Sequence, residues 1–167
     1  MTPTGENKCG HCTLCCKLLG IEELNKPPSK WCSHCDLGKG CKVYEERPKS
    51  CVEFSCLWLN GFSDKPELRP DRLKVVFVTT PQDKIIYALC DPGIPYAWES
   101  DACMAFITGL TNMGFSVVLG WGDGERKLLF SRGGPNVVTK KEITMSKPDS
   151  NGVQWYMPEG SVLHRDD

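Results

Sequence analysis

Apolar positions change their rhythm once along this chain, and the change divides it. Residues 1–59 hold few large aliphatic side chains and no β-branched run, whereas residues 60–71 concentrate turn formers and two prolines and read as a connector. Beyond it, residues 73–80 and 84–90 carry strand-like apolar patterns on either side of Pro81-Gln82-Asp83, which predicts a hairpin. Trp98, Ala102, Ala105, Phe106, Leu110 and Met113 recur at steps of three and four, so residues 98–113 predict a helix with Gly114 as its stop. Residues 116–121 and 126–131 flank Gly122-Asp123-Gly124-Glu125, whose Asp-Gly pair suits a tight hairpin turn. Residues 137–145 and 153–157, joined by residues 148–152, give a third hairpin before a polar tail.

These elements predict an α+β chain in two parts. Residues 1–62 form a small, cysteine-rich, metal-stabilised module, and residues 63–167 form an α+β subdomain, a β-β-α-β-β antiparallel layer with a short β extension. A length of 167 residues at 40% hydrophobic content suits one compact domain or two small ones. Eight Lys and Arg face seven Asp and Glu in residues 1–62, and the whole chain nets −1, so neither nucleic acid nor an anionic membrane is an expected partner. Residues 1–8 lack a signal-peptide core, and apolar runs such as residues 75–78 are too short to span a bilayer, so a soluble, cytoplasmic protein is expected. The run Gly120-Trp121-Gly122-Asp123-Gly124 leads into a strand pattern rather than a helix, which excludes a dinucleotide loop.

The chemistry lies in the first part. Nine of eleven cysteines fall there: Cys9, Cys12, Cys15, Cys16, Cys32, Cys35, Cys41, Cys51 and Cys56. Gaps of two residues, repeated, suit thiolates converging on a soft metal. In a reducing cytosol the same crowding favours metal over disulfides. Cys9, Cys12, Cys15 and Cys16 converge either on one face of a helical turn or in a loop wrapped around a metal. Consecutive side chains point apart, so the Cys15-Cys16 pair predicts two sites, one polynuclear site, or one ligand beside one packed thiol. Some ten aliphatics make a small core for a segment of this length, and ligation can supply on the order of 10 kcal/mol. Tyr44, Phe54 and Trp58 are expected to shield the site from water. Lys39, Lys42 and Lys49 read as solvated charge, while Arg47 is divided between a surface role and donation to a thiolate or carboxylate. His11 and His34 sit inside CxxC pairs and read as exposed or supporting residues. Cys90, Cys103, Met104 and Met113 are expected in the core.

Cys9xxCys12xxCys15Cys16, Trp31-Cys32 with Cys35, and Gly40-Cys41xxTyr44xxArg47-Pro48xxCys51xxPhe54 together resemble the zinc- or iron-chelating CxxCxxCC cysteine-cluster family over residues 9–59. The resemblance implies a metal or cluster on eight thiolates, Cys9 to Cys51, with Cys56 supernumerary, and implies no reaction. A related cysteine pattern occurs in bacterial flagellin lysine methylases. CxxCxxC is similar to the first three ligands of a ferredoxin cluster, yet Cys16 stands where the remote fourth cysteine and its proline are missing. Paired CxxC units such as Cys9/Cys12 and Cys32/Cys35 suit tetrahedral zinc. The family places an iron–sulfur cluster just ahead of zinc. The other readings are a structural zinc-binding interaction module and a thiol-disulfide or methyl-transfer enzyme. Cys9-Gly10-His11-Cys12 has the residues of a redox dithiol but lacks a preceding strand, and no methyl-donor loop is evident.

Overall fold

A computed structural model describes residues 7–79, 84–121, 126–135, 137–145 and 156–158. The turns expected at residues 81–83, 122–125 and 148–152 lie outside the described residues, as do residues 153–155 of the last expected strand.

The first part is built from short elements. Helix α1 covers Leu14–Leu18, strands β1 (Cys35–Asp36) and β2 (Gly40–Cys41) pair antiparallel, and helix α2 covers Lys49–Glu53. Turns take up most of the rest, because few apolar positions here can anchor longer regular structure. Helix α3 (Pro70–Leu73) opens on a proline, whose missing N–H and fixed φ suit a first helical position. It begins at the end of the expected connector and takes up Leu73, so the strand expected from residue 73 starts at Val75.

The second part is a six-stranded sheet in sequential order, β3 (Val75–Thr79), β4 (Ile85–Cys90), β5 (Ser116–Trp121), β6 (Arg126–Gly134), β7 (Val137–Met145) and β8 (Tyr156–Pro158). The α+β class holds, but the layer is mixed rather than antiparallel. β4 and β5 run parallel, in register from Ile85↔Ser116 to Cys90↔Trp121, while the other neighbours are antiparallel. Helix α4 (Asp101–Asn112) causes this. It returns the chain along the sheet, so the strands before and after it point the same way.

Ser100 caps α4, its hydroxyl accepting from the Cys103 amide at 3.4 Å, and Gly114 ends it with φ +90°. The helix starts three residues later than its apolar period indicates, because Trp98 sits in a preceding 3-10 turn and buries against Phe130 at 5.6 Å. Cys103, Ile107, Leu110 and Thr111 form the buried stripe, with Phe106 edge-on to Phe77 at 5.1 Å. Met113 is 67% exposed, contrary to expectation, since it lies past the end of that stripe. Cys90 and Cys103 are fully buried, as expected.

The first part packs on the β3 side. Leu14, Leu18 and Cys56 share a cluster with Val76, and the Leu57 amide donates to the Phe77 carbonyl at 2.8 Å. A polar tie joins the parts at a second place. Lys17 Nζ stands 2.6 and 2.7 Å from the two oxygens of buried Asp91, which also accepts from the Gly93 amide at 2.9 Å. Among the described residues, no helix is long and apolar enough to cross a membrane.

Candidate metal centre

Backbone turns place the thiols. The Cys12 amide donates to the Cys9 carbonyl at 2.8 Å, and the Cys35 amide to the Cys32 carbonyl at 3.0 Å, so each CxxC pair closes one backbone turn. Gly10 sits inside the first turn at φ +52° and Gly40 precedes Cys41 at φ +134°, conformations that a side chain would strain. α1 begins only at Leu14, so the loop arrangement, and not one helical face, brings Cys9 and Cys12 to Cys15 and Cys16. The Cys32 amide then donates to the Cys16 carbonyl at 3.0 Å, and β pairing sets Cys35 opposite Cys41.

All eleven cysteines are free thiols. A cavity of about 310 Å³ is lined by seven of them, every thiol of the first part except Cys35 and Cys56. A larger cavity of about 720 Å³ adjoins it, sharing Cys9, Cys12, Cys15 and Cys51 and adding Cys56. Cys35 lies outside both cavities and is held by hydrogen bonds to Cys16 and to the buried Thr13 hydroxyl.

Proton positions follow from these contacts. The hydrogen bond between neighbouring thiols pushes Cys15 up and Cys16 down, so Cys16 is the first of the pair to become thiolate. Burial pushes Cys12 up to about 11, against donation from the Leu14 amide. Burial, then Cys16, does the same to Cys35, also to about 11. Burial and then Cys56 raise Cys9, and Arg47 opposes them. Cys51 and Cys56 are raised chiefly by burial.

Two cations flank the thiols. Arg47 lines both cavities with its guanidinium 3.8 Å over the Tyr44 ring, and its Nε is buried without a hydrogen-bond partner among the described residues. It therefore faces the cavities, but the donation to a thiolate or carboxylate that was one of its two expected roles is not made by Nε among the described residues. Lys26 is the residue that sequence reasoning missed. Its ammonium donates to the carbonyls of Lys17, Leu19 and Pro27, and burial lowers its pKa against the pull of Cys32 and Cys16. Only the fold brings it to the thiols, and the Lys-Pro-Pro context carries no signal of this. Lys39 and Lys49 pair with Asp36 and Glu53 in solvent, as expected of surface charge. Phe54 and Trp58 pack beside Cys56, but Tyr44 is 49% exposed, so it stacks on Arg47 instead of sealing the site. His11 is exposed, and His34 is half-buried at the edge of the smaller cavity.

Among the described residues, no three His, Cys, Asp or Glu side chains stand grouped as a metal ion requires. What speaks for a thiophilic metal is the donor chemistry of the seven thiols and the cavity they share, not their spacing. Compared with protein-family models, curated proteins and solved structures, the chain finds no match in any of the three.

Proposed function

We propose that this is a metal-binding protein that carries an iron–sulfur cluster or zinc on its N-terminal thiolates. The observation that supports it is the single cavity lined by seven cysteine thiols. Neutral thiols would gain little from such crowding, whereas thiolates around a cation gain strongly. Cys9, Cys12, Cys15, Cys16, Cys32, Cys41 and Cys51 are the residues that would hold the group, with Cys35 and Cys56 within reach of the same set. An iron–sulfur cluster would supply one-electron exchange there, and zinc a rigid tetrahedral cross-link. Arg47 offers a buried donor toward the negative charge that the thiolates gather. Several of these thiols are held protonated, so loading releases protons and weakens as pH falls.

The raised thiols of Cys9 and Cys12 count against a redox dithiol, which needs a depressed pKa to attack. Eleven free cysteines suit a reducing compartment, which favours the cytoplasm. Anaerobic purification followed by metal and sulfide analysis and a visible spectrum tests the reading. Brown protein with iron and sulfide selects the cluster, colourless protein with zinc selects the ion, and folded protein that is metal-free even after reconstitution overturns both.

A further inference from the structure

We propose that the thiols form two metal centres divided between the adjacent residues Cys15 and Cys16, and that Cys56 is the fourth ligand of the first, beside Cys9, Cys12 and Cys15. The division deepens the metal-binding reading and rests on it. Two cavities meet at the module, and the non-shared thiols separate them. Cys56 lines only the larger, whereas Cys16, Cys32 and Cys41 line only the smaller.

Hydrogen bonds and packing follow the same division except at its seam, where the Cys15 and Cys16 thiols bond each other. Cys12 packs against the cluster that contains Cys56, and Cys9 lines the larger cavity together with Cys56. On the other side the Cys32 amide bonds the Cys16 carbonyl, Cys16 bonds the Cys35 thiol, and Cys35 pairs with Cys41 across β1 and β2. Cys51 lines both cavities but has Cys16, Cys32 and Cys41 as its thiol neighbours, which assigns it to the second set. Consecutive residues on a helix point in directions about 100° apart, and Cys16 lines only the smaller cavity while Cys15 also reaches the larger, so the division assigns Cys15 to the first set and Cys16 to the second. Nine sulfurs exceed what one four-sulfur centre uses and suffice for two.

Cys56 also differs from the packed thiols of the core. The amides of Trp58 and Leu59 donate to its sulfur, an arrangement that stabilises a thiolate. Cys90 and Cys103 are equally buried, yet no such donor contributes at either. A buried hydrophobe has no use for two aimed N–H groups. A ligand sulfur does.

Metal content of the full chain, reconstituted anaerobically with Zn²⁺ and counted after gel filtration, tests the division. Wild type is expected to hold two equivalents, Cys56→Ala one, Cys16→Ala/Cys41→Ala, which leaves the second set three thiols, one, and the triple variant none. Cys103→Ala, outside both sets, is expected to keep two. Near-ultraviolet circular dichroism from Trp98 against Phe130 reports whether each variant retains the sheet. A Co²⁺ titration of wild type needs no variant. Thiolate-to-cobalt absorption is expected to level at two equivalents, and a plateau at one overturns the division while leaving metal binding intact. Two equivalents retained by Cys56→Ala overturn the role of Cys56. No metal bound, either as purified or after reconstitution, defeats the metal-binding reading itself.

Discussion

The two parts of the molecule reach order by opposite routes. In residues 7–62 no helix exceeds five residues and each strand has two, whereas the sheet has strands of up to nine residues and a helix of twelve. Phe130, Ile107, Leu119 and Val117 are at most 1% exposed in the sheet core. Most thiols of the first part are only half-buried, around a cavity. One part buries its apolar surface to hold itself together, and the other gathers thiol donors around a cavity, where the proposed metal would cross-link them.

On the metal-binding proposal, removing metal is expected to break the comparison most severely. A strong chelator is expected to withdraw on the order of 10 kcal/mol from the cysteine-rich part alone. Hydrogen exchange would then show lost protection at the amides of Cys12, Cys32 and Cys35, while β4 and β5 keep theirs. Protection kept by those three amides in metal-free protein would show that the first part stands on its own core. Next in size, Phe130→Ala is expected to cost about 3–5 kcal/mol through the cavity it leaves, read as a lower urea midpoint with metal content unchanged. A parallel loss of metal would show that the two parts are not separately stabilised. Smallest, Lys17→Ala leaves the buried Asp91 carboxylate without its ammonium and is expected to cost about 2 kcal/mol in the same measurement. Recovery in the Lys17→Ala/Asp91→Asn double variant would assign that cost to the stranded charge.

Periodicity made the second part legible. Residues 116–121 and 137–145 match their strands end to end, and Gly114 stops the helix as its φ requires. Strand direction was not legible, because an apolar pattern marks a face and says nothing of which way a neighbour runs. Reading 116–121 after a helix as the parallel partner of 84–90 requires the crossover geometry, and that lies in the packing of α4. In the first part the cysteine order pointed to the seven thiols that line one cavity, but not to Cys35 standing outside it. It could not reveal that Lys26 would turn its ammonium into carbonyls beside them, or that Tyr44 would stack on Arg47, since both depend on contacts made by loops.

The hydrogen bond from Leu57 to Phe77 bears on solubility. β3 is an edge of the sheet, and its sequence, Val75-Val76-Phe77-Val78-Thr79, is uncharged and strongly β-forming. An exposed strand of that kind is a template for adding further strands from other molecules. The cysteine-rich part lies against it, closing part of the edge with Leu57 and Val76 with the Leu14 and Leu18 side chains. The packing of the cysteine-rich part thus also acts as a guard against self-association, and on the metal-binding proposal loss of metal is expected to uncover this adhesive strand.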